Sequence, residues 1–316
     1  MSHGQFLYFT PNMGNEEHLK EELRHRFPKF KVSFSRPGFL TFKNTGEELT
    51  LDQLSTLHFA FSRTHGLCLG PTSKDKYESE IVDHARDYSI SSYNIFKWNR
   101  KGSEVVQDKN NEADFVFDII NVDKEKYWLG LHIQSKLSNQ SAGGFPQIEL
   151  PEEAPSRAYS KIAEIIKSYN LPILETDTIL DIGCAPGGSS YYFLKNGHEV
   201  VGIDPGEMDK VCKDFKSFKH LQLPVQKVTS REIRKSIDWI VLDLNLKAGL
   251  SLKEGIRLAK EYPNLKGLAY TVKMPTSDLS IRIEEFVYKF KPLKFKNLFV
   301  TQVPSHKKEF AIIAFN

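Results

Sequence analysis

The stretch Asp181-Ile182-Gly183-Cys184-Ala185-Pro186-Gly187-Gly188 follows an apolar run, Thr178 to Leu180, and leads into a helical pattern over Ser189 to Lys195. Gly197 lies where a left-handed helix cap is expected. A second apolar strand, Glu199 to Ile203, ends in Asp204. That acid falls about twenty residues after the first, the offset at which a carboxylate meets a ribose in doubly wound folds. Strand, glycine turn, helix and strand together read as a nucleotide cradle. The glycine spacing is not GxGxxG, Pro186 removes a backbone donor, and Asp181 puts a carboxylate where phosphates would otherwise sit. An acidic turn suits a cationic ligand without phosphates. S-adenosylmethionine, with its sulfonium and amino groups, has that chemistry; the competing reading is a tight turn that binds nothing.

Downstream of the cradle the apolar runs Trp239 to Leu244, Gly267 to Met274, Phe295 to Val303 and Glu309 to Phe315 alternate with helical patterns, among them Ser277 to Phe290. Upstream, a helix over Arg157 to Tyr169 carries an apolar face of Ala158, Ile162, Ile165 and Ile166. Such alternation predicts an open, largely parallel sheet over residues 151–316, with a ligand at the C-terminal strand ends. Residues 1–72 read as β-α-β-β-α-β, a ferredoxin-like order, with Asn15 as N-cap of a helix from Glu16 to Phe27 and a hairpin turn at Arg36-Pro37-Gly38. Residues 73–150 hold a helix over Tyr77 to Tyr88, a run at Ile95 to Trp98, an exposed loop from Lys101 to Glu112, and strands over Asp114 to Val122 and Lys126 to Ile133. Ser135 to Pro155, with Gly143-Gly144, reads as a linker or docking loop. The expected fold class is α/β: a C-terminal Rossmann-like sheet preceded by two α+β modules.

At 316 residues the chain is long enough for two or three cores. No window approaches the roughly 18 apolar residues of a membrane span. The first residues lack a signal pattern, so a cytoplasmic location and no membrane association are expected. Cys68, Cys184 and Cys212 have no metal-ligand spacing and read as reduced structural thiols, with no metal expected. The net charge of +3 is uneven: residues 1–150 sum to −2 and residues 151–316 to +5. Lys210, Lys213, Lys216, Lys219 and Lys227 cluster, as do Lys289, Lys291, Lys294 and Lys296. Beside a nucleotide cradle, these make a polyanionic partner attractive.

Four ionisable residues fall where the sheet would gather them. Asp243 ends one strand, Lys273 ends the next, and Lys161 lies on the helix before the cradle. Glu309 opens the last strand and reaches the same edge if that strand runs antiparallel.

These residues resemble the ribose 2′-O-methyltransferases of the FtsJ type, which use a Lys-Asp-Lys-Glu tetrad with a DxGxAPGG cradle. Ser156-Arg157-Ala158-Tyr159-Ser160-Lys161 is similar to that family's SRxxxK helix. Val241-Leu242-Asp243-Leu244, Thr271-Val272-Lys273-Met274-Pro275 and Ser305-His306-Lys307-Lys308-Glu309 resemble the segments bearing the other three. Leu7 to Leu23, Tyr127-Trp128-Leu129-Gly130-Leu131-His132, Gly143-Gly144 and Pro151 to Lys161 resemble the THUMP-containing enzymes close to ribosomal RNA large subunit methyltransferase M. The resemblance implies a ferredoxin-like module over 1–72, a THUMP-like RNA-binding module over 73–150 and a methyltransferase domain over 151–316. It further implies S-adenosylmethionine as cofactor, RNA as partner without an obligate protein partner, and a cytidine of large-subunit ribosomal RNA as target. Lys161, Asp243, Lys273 and Glu309 would be catalytic. Asp181, Gly183, Cys184, Ala185, Pro186, Gly187, Gly188, Asp204 and Asp243 would line the cofactor. By their place near the proposed site, Arg157 and Tyr159 are read as RNA contacts that could stack on a nucleotide, with a plain packing role for Tyr159 the equal alternative.

Two features depart from the family. No acidic residue follows the third strand to meet an adenine, so Gln222, Gln226 or a backbone carbonyl takes that place, and Asn245-Leu246-Lys247 comes right after Asp243-Leu244. On this reading Lys273 is the general base, its neutral form favoured by a dry site, a cationic neighbour and the sulfonium, and opposed by Asp243. An RNA base methyltransferase is the nearest rival, but Asp243-Leu244-Asn245-Leu246 lacks the prolines and aromatic of an (N/D)PPY motif. A non-catalytic RNA-binding protein that keeps the fold is the rival from another class.

Overall fold

The computed structural model describes residues 4–109 and 113–316. The chain divides into two compact units. The first comprises Met1–Pro146, Lys167–Asn170 and Gln302–Lys307; the second comprises Gln147–Ile166, Leu171–Thr301 and Lys308–Asn316.

The first unit is built on one eight-stranded sheet. Its strands are β1 (Phe6–Phe9), β2 (Phe30–Arg36), β3 (Phe39–Asn44), β4 (His65–Thr72), β5 (Tyr93–Asn99), β6 (Val105–Asp108), β7 (Phe115–Asp123) and β8 (Lys126–Ile133). They lie in the order β2-β3-β1-β4-β8-β7-β5-β6. All neighbours are antiparallel except β5 and β7. The element order through β4, with helices at Glu16–Arg26 and Leu51–Ser55, is the expected β-α-β-β-α-β. The expected break after residue 72 is not a boundary between compact units, because β4 pairs with β8 and carries the sheet across it.

Two local expectations for this unit are corrected, and a third, linker or docking loop, is decided for the docked form. Asn15 makes no side-chain cap; its amide donates instead to the Lys307 carbonyl. The exposed loop from Lys101 contains strand β6, which pairs with β5; its tail, Asn110 to Glu112, lies outside the described residues. The Gly143-Gly144 segment is no free linker, since Ala142 is fully buried and an added Cβ at Gly143 would meet the Trp98 ring at 2.5 Å.

The core of this sheet is aromatic but holds one charge. Asp118 is fully buried and accepts from Tyr8 Oη at 2.6 Å and Trp98 Nε1 at 2.8 Å, with His132 Nδ1 at 2.7 Å. A buried carboxylate survives only when hydrogen-bonded, and here both oxygens are. Burial first, and the Asp118 carboxylate second, push the Tyr8 hydroxyl well above its ordinary range, so Tyr8 stays a donor.

The second unit is an α/β layer structure with a seven-stranded sheet. Its strands are β9 (Thr178–Ile182), β10 (Glu199–Ile203), β11 (Phe218–Leu221), β12 (Trp239–Leu242), β13 (Gly267–Lys273), β14 (Asn297–Thr301) and β15 (Glu309–Phe315). The order is β11-β10-β9-β12-β13-β15-β14, with β15 running against the other six strands. Strands β9, β10, β12, β13 and β15 read as near-continuous apolar runs and are buried almost throughout, the pattern of strands covered on both faces. Every residue of β12 is buried, and Trp239 closes its start with Nε1 on buried Asp177 at 3.1 Å. Strand order reverses between β9 and β12, which is where such sheets bind ligands. The helix expected over Ser277 to Phe290 is a 3₁₀ stretch, Ser277–Arg282, followed by a short α-helix, Ile283–Tyr288.

Asp118→Ala strips Tyr8, Trp98 and His132 of their shared buried acceptor. The expected cost is about 3 kcal/mol to the first unit, read as a lower midpoint in urea denaturation followed by tryptophan fluorescence. An unchanged midpoint would show that the network contributes nothing to stability.

Candidate active site at the C-terminal strand ends

The second unit assembles Lys161, Asp243, Lys273 and Glu309 into a closed ring of alternating charge. Lys161 Nζ lies 2.9 Å from Asp243 Oδ2 and 2.8 Å from Glu309 Oε2. Lys273 Nζ lies 3.1 Å from Asp243 Oδ1 and 3.1 Å from Glu309 Oε1. Each residue arrives by a different local device. Asp243 directly follows β12, Lys273 is the last residue of β13, and Glu309, the first of antiparallel β15, is its register partner. Lys161 comes from the helix Ala158–Tyr169, whose neighbours Ile162, Ala163 and Ile165 are buried and fix its rotation.

Side-chain exposure distinguishes the four. Lys273 keeps 29%, against 16% for Lys161, 15% for Asp243 and 14% for Glu309. Lys273 is therefore the member most open to a reactant. Burial pushes the Asp243 carboxyl up, but the Lys161 and then the Lys273 ammonium outweigh it, and the group sits below its ordinary range. For Lys273 burial pushes the ammonium down, yet Asp243 and Glu309 outweigh that too, and its pKa is raised. This corrects the expectation that the site favours neutral Lys273: two carboxylates at contact distance beat burial.

The cradle is set by contact with the tetrad strand. Gly183 has φ +83, and an added Cβ would stand 2.7 Å from the Asp243 carbonyl oxygen. The turn can pass over the end of β12 only as glycine. Gly187 has φ +128 with Cys212 Sγ at 2.5 Å from an added Cβ, and Gly188 would meet Ser156 Oγ at 2.3 Å. Gly188 thus lets the helix Gly188–Lys195 pack on Ser156. The Ala185–Pro186 peptide is cis. Cys184 is buried and its thiol is pushed up by burial, while burial takes Cys212 to about 12, so neither is a nucleophile at neutral pH.

Asp181 is fully buried. Its Oδ2 accepts from Ser189 Oγ and Ser190 Oγ, each at 2.6 Å, while Oδ1 has no partner among the described residues. Burial raises its pKa to about 6, the two serines oppose this, and Asp243 and Asp204 add to it. An orphaned buried carboxylate oxygen costs free energy until a donor meets it. Asp204, at the end of β10, accepts from the Gly206 amide at 2.7 Å and lies 3.4 Å from the Ala185 amide. A site with an orphaned acceptor and a second carboxylate fits the amino and ribose hydroxyl groups of S-adenosylmethionine and disfavours phosphates. Gln222 and Gln226 are exposed, and Gln222 Nε2 donates to Glu207 Oε1 at 2.9 Å.

Other expected contacts fare differently. Arg157 is exposed. Tyr159 is corrected: it is 8% exposed and packs edge-on to Tyr192, with Tyr191 also in reach, so it offers no open face for stacking. Lys219 donates to the Glu232 and Ile233 carbonyls, both at 2.9 Å, and so closes a helix end. Lys213 pairs with Glu207 and Lys289 with Glu285. No cluster of three or more metal-binding side chains occurs among the described residues, and no helix among them is long and apolar enough to cross a membrane. The sequence reading missed Ser189 and Ser190, whose signal was two hydroxyls in the first turn after an acidic cradle.

Residues 154–302 match the FtsJ-like methyltransferase family. Two similar relatives both carry the name ribosomal RNA large subunit methyltransferase M. The protein from Shewanella halifaxensis is 29% identical over 61% of this chain and 54% of its own length. The one from Psychromonas ingrahamii is 27% identical over 43% of this chain and 38% of its own. The matched stretches thus span about half the length of these relatives or less. Among solved structures, the Methanococcus jannaschii fibrillarin pre-rRNA processing protein is 17% identical over 62% of this chain and 81% of its own, with a TM-score of 0.42, a likeness too loose to bear on activity. The stretch that matches the FtsJ-like methyltransferase family holds the cradle, Lys161, Asp243 and Lys273, just under half of the chain.

Proposed function

We propose that this chain methylates a ribose 2′-hydroxyl of RNA, with a cytidine of large-subunit ribosomal RNA as the target and S-adenosylmethionine as donor. The observation that carries the reading is the ring of two lysines and two carboxylates beside an acidic, phosphate-averse cradle. The relatives' name supports ribosomal RNA as the substrate class. A 2′-hydroxyl is also the group that separates RNA from DNA. The strand order β2-β3-β1-β4 supports a ferredoxin-like module at the front, and residues 73–150 would form a THUMP-like module that engages RNA.

S-adenosylmethionine supplies a methyl group already attached to a good leaving group, so the chain's task is orientation and one proton transfer. Asp181 would hold its amino group, Asp204 its ribose, and the backbone from Gly183 to Gly188 would shape the space between them. Lys273, the most exposed tetrad member, would meet the hydroxyl. Asp243 and Glu309 fix its ammonium from two sides, and Lys161 fixes both carboxylates in turn. Since those carboxylates raise its pKa, Lys273 acts as base only through its minor neutral form or as the cofactor's positive charge offsets them.

Lys273→Arg keeps a cation between the carboxylates but gives up no proton. It should bind cofactor normally and lose about 10²- to 10⁴-fold in transfer rate. The wild-type rate should climb with pH through the alkaline range, because the raised pKa leaves Lys273 mostly protonated at neutrality. Near-normal transfer by the arginine variant, or a plateau beginning near pH 7, would remove Lys273 as the base.

Asp181 gives a second test. Its folded pKa of about 6 exceeds the ordinary 3.8, so its contribution to stability is present below the ordinary value and lost as pH rises through about 6. Cofactor-free Asp181→Asn should therefore gain stability over wild type between pH 4 and 7, by at most on the order of 3 kcal/mol. It should also bind cofactor more weakly. A stability difference that does not change with pH would contradict the assignment.

A further inference from the structure

We infer that the segment Asn245–Leu250 is the lip that reads the target nucleotide, with Asn245 addressing the base and Lys247 a neighbouring phosphate. The inference rests on the RNA reading above and assigns substrate recognition to residues outside the tetrad and the cradle.

Position comes first. Asn245 stands two residues beyond Asp243, and a chain advances at most about 3.6 Å per residue, so its Cα lies within about 7 Å of that of Asp243. That is the span from a ribose to its own base. Asn245 and Lys247 are both exposed, and among the described residues neither side chain has a hydrogen bond or ion pair. An asparagine amide offers a donor and an acceptor together, the pairing a base edge asks for. The lysine is a free cation in a stretch without acids from Leu244 to Lys253.

The rest of the segment makes room. Leu250 is 56% exposed, and an added Cβ at Gly249 would meet nothing within 4 Å. An apolar side chain beside an open glycine gives a flat, uncharged surface against which a base can lie.

The lip's last three residues are the first turn of the helix Ala248–Ala259, and that turn is anchored from beneath. Tyr270 is 1% exposed; its hydroxyl donates to the Ala248 carbonyl at 2.9 Å and lies 2.5 Å from Ser251 Oγ. Ser251 Oγ in turn donates to the same carbonyl at 3.1 Å. Tyr270 belongs to β13, three residues before Lys273. The lip is therefore pinned at one end by the strand that carries Lys273 and at the other by Asp243, whose amide donates to Ile182 O at 3.0 Å. Burial pushes the Tyr270 hydroxyl to about 12, so it remains a donor across the working pH range.

The test compares wild type with Asn245→Ala, Lys247→Ala and Tyr270→Phe, on transcribed large-subunit ribosomal RNA with labelled S-adenosylmethionine. Binding of the same RNA is followed in parallel by fluorescence anisotropy. Asn245→Ala and Lys247→Ala together should raise KM or Kd for RNA roughly tenfold and leave cofactor affinity unchanged. Lys247→Ala alone should lower the salt dependence of RNA binding by about one unit of slope. Asn245→Ala should spread label over more than one nucleoside, and Tyr270→Phe should weaken RNA affinity without touching the cofactor. Unchanged RNA affinity, salt slope and labelled nucleoside in the exposed-residue variants would overturn the inference. A wild type that transfers no methyl group while the lip variants still weaken RNA binding would refute the activity and leave the lip standing.

Discussion

Two ammonium groups and two carboxylates, alternating at 2.8 to 3.1 Å around a ring, are the constraint on which the rest of the second unit depends. Burying any one of these charges alone would cost several kcal/mol. Each is tolerated because its two nearest charged neighbours carry the opposite sign. The ring is neutral as a whole, so it can sit at a sheet edge without drawing in counter-ions. It also couples its members: a proton cannot leave Lys273 without weakening the hold on Asp243 and Glu309, and through them on Lys161.

The sheet exists in the form that closes this ring. Parallel strands β12 and β13 bring Asp243 and Lys273 to one edge, but a further parallel strand would have left its first residue at the other. Only the reversal of β15 puts Glu309 opposite Lys273. The same switch point that separates β9 from β12 lets the cradle turn cross the backbone of Asp243, where nothing larger than Gly183 fits. The glycine turn and the tetrad are thus one piece of backbone geometry.

Much of this was legible in the sequence, and the reasons are specific. The β-strand and glycine patterns of the second unit are strong because its strands are buried on both faces, and β10 and β15 run from Glu199 to Ile203 and from Glu309 to Phe315 as expected. The tetrad was legible because topology, once guessed, fixes which strand ends meet. What sequence could not supply was competition between neighbours. The net direction of the Lys273 shift depends on two carboxylates at 3.1 Å, distances no pattern encodes. For Tyr159 the sequence left stacking on a nucleotide and plain packing level, and the contacts with Tyr191 and Tyr192 decide for packing. The joining of residues 1–72 and 73–150 in one sheet rests on pairing of β4 with β8, a contact between strands more than fifty residues apart. Nor does any local signal assign Gln302–Lys307 to the first unit, where the Asn12 side chain donates to the Val303 and His306 carbonyls.

The central claim is that the ring activates a ribose oxygen rather than a base nitrogen or carbon. The most direct test incubates the purified protein with unmodified ribosomal RNA and isotopically labelled S-adenosylmethionine, then digests the RNA and identifies the labelled nucleoside by mass spectrometry. The account predicts label on the ribose of one nucleoside, resistant to alkaline cleavage at that position. Label on a nucleobase, with the adjoining phosphodiester still cleaved by alkali, would contradict it.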